Sequence, residues 1–142
     1  MSVNAESLWY EQYIGRPWEA APKPPLSFNC GELLCYVHKV HLLIETPEIS
    51  ANPLKLRECV DNMRPEIFGL RALTTDDKVQ DYDCAFFSRA FYEDHCGLAV
   101  ETLDGLLVLH SVQGIGVVLE SEHEALSRGF RQLTWYRHVG LK

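Results

Sequence analysis

The sequence predicts an α+β domain with helices first and antiparallel strands second. Leu33, Leu34, Val37 and Val40 recur at helical spacing after Asn29, and beyond Arg64-Pro65 short apolar runs alternate with turn residues. Between two of those runs, Thr102-Leu103-Asp104-Gly105 carries the Asp-Gly hairpin signal of a meander. A long helix with one apolar face must then lie on the sheet.

In chain order, Asn4 to Ile14 reads as a short packing helix ended by Gly15. Pro17, Pro22, Pro24 and Pro25 exclude helix or central strand from Arg16 to Leu26, so this stretch is an extended surface segment that can wall a cleft. Asn29 is a competent N-cap, and the helix it opens starts with Cys30. Ile44 to Pro53 is a break, and Pro53 starts a second helix through Met63, with Leu56, Cys59, Val60 and Met63 inward. Strands are expected at Asp83 to Ser88, Cys96 to Glu101, Leu106 to Val112 and Gly116 to Leu119. A short helix follows at Ser121 to Ser127, and Phe130 to His138 closes the sheet as its last strand. At 142 residues the chain is one domain, with a helical part at about 1–65 and a sheet part at about 80–142.

Composition narrows the functions. A net charge of -7 repels duplex nucleic acid and anionic membrane surfaces, which sets both aside as main partners. No run approaches the roughly eighteen apolar residues of a membrane span, and Met1 to Ala5 lead into no signal peptide, so synthesis in the cytoplasm is expected. Five cysteines without paired spacing point to free thiols in a reducing compartment.

Among those thiols, Cys30 is the candidate nucleophile. A cysteine in the first turn of a helix faces the positive end of the helix dipole, which favours the thiolate. A histidine at the start of a strand, His95, is the candidate base, and His110, on the strand across the Asp-Gly hairpin, can orient its ring. Cys35, Cys59, Cys84 and Cys96 are expected in the core. His38 and His41 form a His-x-x-His pair without further ligands, and read as solvated rather than metal-binding. Glu120, Glu122 and Glu124 read as the exposed side of a short helix. No metal or cofactor is called for.

These residues, taken in order, resemble the NlpC-type cell-wall cysteine peptidases of the papain-like superfamily, particularly the short members carried in phage tails. The resemblance spans nearly the whole chain: Ile14-Gly15-Arg16-Pro17-Trp18, Asn29-Cys30, Tyr82-Asp83-Cys84-Ala85-Phe86-Phe87, His95-Cys96-Gly97-Leu98, Gly105 followed by Leu109-His110-Ser111, and Gly114-Ile115-Gly116-Val117-Val118. The chain departs from the family pattern with Asn29 in place of Asp, with Gly31-Glu32 after the nucleophile, and with Trp18 where many members carry a Tyr.

The resemblance implies a papain-like fold and a peptidoglycan endopeptidase that cuts stem peptides, typically between D-glutamate and a diamino acid. Cys30 would act as nucleophile, His95 as base and His110 as its orienting partner. It also implies a place in the virion, at the phage tail tip or baseplate beside other tail-tip proteins, which would carry the enzyme to the wall from outside. The competing expectation is a structural tail-tip subunit that keeps the fold with little or no hydrolysis.

Overall fold

The computed structural model describes residues 8–46 and 63–142. The architecture is α+β: helix α1 (Cys30–Leu42) packs on an antiparallel sheet formed by the second part of the chain. Asn29 stays extended and its Oδ1 accepts the Glu32 N–H at 2.9 Å, which starts α1 at Cys30 as its capping chemistry predicts. Leu33, Leu34 and Val37 are fully buried against the sheet, whereas Val40, expected on the same face, is exposed.

The strands are β1 (Leu70–Ala72), β2 (Cys84–Ser88), β3 (Glu93–Thr102), β4 (Gly105–Val112), β5 (Gly116–Glu120) and, after the short helix α2 (Glu122–Leu126), β6 (Gln132–His138). Their order in the sheet is β1-β6-β2-β3-β4-β5. The predicted meander is therefore β2 to β5, with Thr102 paired to Gly105 across the Asp-Gly turn. α2 carries a full capping box, Ser121 and Glu124 each taking the other's backbone N–H.

The last strand does not close an edge. β6 returns to pair with β2, from Cys84 opposite Tyr136 to Ser88 opposite Gln132. It also recruits β1, a three-residue strand that gives too short a pattern to read from sequence. Two further differences lie in the helical part. Residues 9–15 form turns instead of a helix, with Tyr10 and Tyr13 buried and Glu11 and Gln12 exposed. The second predicted helix, with Cys59, falls outside the described residues apart from Met63, which is buried in the core.

Two apolar clusters line the two faces of the sheet. The larger joins Phe28, Leu33, Leu34 and Val37 to Cys84, Phe86, Cys96, Leu98, Val100 and Leu109; the smaller joins Ala85, Phe87, Val108 and Ala125, with Phe130 and Trp135 packed on it. Adjacent residues of β2 and β4 alternate between them, as strand geometry requires. A buried ion pair ties β6 to the loop that precedes β2. Arg137 reaches both oxygens of fully buried Asp83 at 2.8 Å and donates to the Lys78 carbonyl at 2.7 Å.

Candidate active site

Cys30 stands in the first turn of α1 and is only partly buried. The segment before it is held on both sides: the Ser111 hydroxyl of β4 donates to the Phe28 carbonyl at 2.8 Å, and the Phe28 N–H donates to the Pro17 carbonyl at 3.0 Å. The proline-rich segment thereby runs beside the start of α1, with Trp18 bridged to Phe28. A cavity of about 210 Å³ opens there, lined by Cys30 and Trp18 together with Asp94, His95, Ser111 and Phe130, and with Arg89 and Arg128. The expectation that the proline-rich stretch walls a cleft describes Trp18 well.

His95 reaches this cavity from β3, which begins three residues earlier than predicted, at Glu93. The register with β2 shifts between Phe87, opposite His95, and Ser88, opposite Glu93. Asp94 is the extra residue of that bulge, and a bulge re-aims the side chains beside it. The His95 ring lies stacked on Phe130, centroids 5.0 Å apart and planes 14° from parallel, and the His110 ring is stacked on Phe87.

The two histidines meet as their hairpin placement suggested. His95 Nε2 lies 2.8 Å from His110 Nδ1, and His110 Nε2 lies 2.7 Å from Glu120 Oε1. Gly97 makes room for this contact, since a Cβ on it would come within 2.9 Å of both the His110 Cβ and the Leu109 carbonyl oxygen. Glu120 in turn takes Arg128 Nε at 2.6 Å and Nη2 at 3.0 Å.

Glu120 was expected on an exposed helix face and stands instead at the end of β5. The pairing of Val108 with Glu120 and of His110 with Val118 puts Glu120 diagonally across from His110 on one face. Its usable signal is the hairpin spacing, in which a strand residue two beyond the direct partner of a histidine shares its face.

The hydrogen-bond order assigns the protons. A carboxylate only accepts, so His110 carries its proton on Nε2 and offers Nδ1 as acceptor, and His95 must donate from Nε2. This leaves His95 Nδ1 for the cavity. Burial first, then the charge of His95, push the His110 imidazolium down to about 4, so at neutral pH this ring is neutral. Against the burial that would raise it, hydrogen bonds from Arg128 and His110 hold Glu120 below the usual carboxylate range.

Cys30 is the acidic thiol of the group. A hydrogen bond from the Cys96 thiol, opposed by burial and reinforced by the charge and hydrogen bond of His95, holds Cys30 well below an ordinary thiol. Cys96 moves the other way: its bond to Cys30, then burial, push it well up. One negative charge on the pair thus sits on Cys30, the member that faces the cavity and the helix N-terminus. Cys96, expected to be core packing alone, is both buried and a hydrogen-bond partner of Cys30.

Cys35 and Cys84 are buried, and burial pushes both thiols up, Cys35 to about 12. His38 is not solvated, and His41 is half-buried with a side-chain partner. His38 is buried with Nε2 at 3.0 Å from the Tyr82 carbonyl, and His41 Nε2 lies 2.7 Å from the Tyr13 hydroxyl. Their helix face, read as polar from residue type, docks on β2 and the turns before α1, where each imidazole finds a partner. Among the described residues no group of three or more His, Cys, Asp or Glu is arranged to hold a metal, and no helix is long and apolar enough to cross a membrane. Neither a protein-family model nor a curated protein matches the chain.

What the arrangement can do follows from its parts. A thiolate and an imidazole nitrogen share one small cavity, with a chain of acceptors behind that imidazole, which is the equipment of acyl transfer.

Proposed function

We propose that the protein is a cysteine peptidase of papain-like, NlpC-type fold that cleaves peptidoglycan stem peptides from a phage tail tip. The observation that carries this reading is the single cavity in which the Cys30 thiolate faces His95, whose far nitrogen is engaged by His110 and, through it, by Glu120. The order of sequence elements from Gly15 to His110 adds the substrate class and the tail-tip setting.

In this reading the Cys30 thiolate adds to the scissile amide carbonyl, forming the C–S bond while the carbonyl oxygen becomes an oxyanion. Backbone N–H groups at the start of α1, the positive end of the helix, serve as donors to that oxygen, a kind of contact worth on the order of 3 kcal/mol. As the C–N bond breaks, His95 gives its Nδ1 proton to the leaving amine. The neutral His95 then takes a proton from water, whose oxygen attacks the thioester and frees Cys30. His110 stays neutral throughout and holds the His95 ring in one tautomer; Glu120 and Arg128 hold His110.

Release of soluble fragments from Gram-negative peptidoglycan, with mass spectrometry of the products, tests the proposal. The expected result is activity in the wild type and its loss in both Cys30→Ala and His95→Ala. A folded wild-type protein that releases nothing would refute the enzyme and favour a structural subunit of the tail tip.

A further inference from the structure

The cavity contains a carboxylate that the reaction above does not use. Asp94 lines it beside His95 at the β3 bulge, its side chain only 3% exposed. Its Oδ1 has no hydrogen-bond partner among the described residues, and a buried acceptor without a donor is costly. Among the described residues Oδ2 has Arg89 as its ion-pair partner, whose Nε stands 3.4 Å away and whose side chain is 61% exposed, resting over the Phe130 ring.

The surrounding charges say which donor fits. Arg128 is committed to both oxygens of Glu120. Cys30 adds a second negative charge near Asp94, and burial, ahead of the attraction of Arg89, raises the Asp94 carboxyl. The floor of the cavity thus holds two anionic groups, answered by His95 and by one largely solvated guanidinium at the rim. A cationic nitrogen supplies both the missing hydrogen bond and the missing charge; a neutral amide supplies the first alone.

We propose that Asp94 is a specificity-determining residue that takes a protonated amine of the substrate on Oδ1, with Arg89 displaced toward solvent. This rests on the reading of Cys30 and His95 as the reactive pair and adds a chemical class to it: a peptide with an ammonium group close to the bond that is cut. Phe130 stacks on His95 and lies under Arg89, so the same ring orients the base and seats the movable cation.

The test uses thiol probes of different charge instead of a peptide. Methanethiosulfonates carrying an ethylammonium, a methyl or an ethylsulfonate group each transfer their thiol fragment to Cys30 and release methanesulfinate, and mass spectrometry of the Cys30 peptide gives the rates. Relative to a free cysteine, the ammonium reagent is expected to outpace the methyl reagent. A hydrogen bond to a charged group being worth a factor of ten or more, that ratio should fall about tenfold in Asp94→Asn. Arg89→Gln should raise it.

An unchanged ratio in a folded Asp94→Asn protein, or a faster reaction with the sulfonate, would overturn the proposal. Inertness of Cys30 to all three reagents would overturn it together with the reactive-thiolate reading. A wild type that releases wall fragments yet shows no preference for the ammonium reagent would overturn the proposal and leave the Cys30–His95 reading standing.

Discussion

Replacing Glu120 by glutamine keeps the shape of the side chain and removes its charge, which makes it the sharpest probe of the histidine relay. As a carboxylate, Glu120 accepts from His110 Nε2 at 2.7 Å and from two Arg128 nitrogens at 2.6 and 3.0 Å. The amide has one accepting end. If its oxygen stays toward His110, its NH2 meets the Arg128 donor. If it flips, the NH2 donates to His110 Nε2, drives the His110 proton to Nδ1, and sets that proton against the His95 Nε2–H across 2.8 Å. In the first case a partly exposed Arg128 donor loses its acceptor at little cost; in the second the buried histidine pair does, at about 1–3 kcal/mol. A partner of this kind costs about 10- to 100-fold in activity when removed. Long-range proton–nitrogen NMR of the imidazoles reads the tautomers, and wall-fragment release reads the rate. A Glu120→Gln protein with His110 still protonated on Nε2 and full activity would refute the relay.

Three further outcomes are expected. Gly97→Ala places a Cβ within 2.9 Å of His110 and of the Leu109 carbonyl oxygen, and overpacking of this kind costs about 1–3 kcal/mol; a urea midpoint unchanged from wild type would contradict the close approach of β3 and β4. Arg137→Leu strands the buried Asp83 carboxylate, for a loss of about 3–5 kcal/mol that the double variant Asp83→Leu/Arg137→Leu should largely restore, as equilibrium unfolding of the three proteins will show. The His110 imidazolium is pushed from 6.5 down to about 4 in the folded protein. Between those values the unfolded chain binds the proton and the folded chain does not, so stability is full above about pH 6.5 and falls toward pH 4, by on the order of 3 kcal/mol from this residue. That slope in wild type, reduced in His110→Gln, is the expected signature.

Much of this was legible in the sequence where local chemistry decides the outcome. Asn29 caps α1, Ser121 and Glu124 cap α2, and the Asp-Gly turn registers β3 on β4, because each depends on residues within one turn or one hairpin. Cys30, His95 and His110 followed from position within those elements. Glu120 read as an exposed helix residue, Cys96 as core, and Asp94 carried no expectation, because their places arise from register and from a bulge, which no residue type announces. His38 and His41 read as solvated because a histidine does not reveal its partner, and theirs are the Tyr82 carbonyl and the Tyr13 hydroxyl, brought close only by tertiary packing. β1 and the inner position of β6 are long-range pairings of the same sort.

The wall that carries Trp18 has a second occupation. Ahead of it, the Gly15 N–H donates to the Val117 carbonyl, and the Val117 N–H donates to the Arg16 carbonyl, each at 2.9 Å, along the outer side of β5. The backbone comes so near that a Cβ on Gly116 would stand 2.6 Å from the Arg16 oxygen. β5 is an edge strand, and these bonds occupy the groups an edge would otherwise present to a neighbouring chain. Guarding the sheet against unwanted pairing and enclosing the thiol are thus tasks of one short segment. A substitution that loosens it should therefore be visible twice, as a wider mouth to the cavity and as a greater tendency to self-associate.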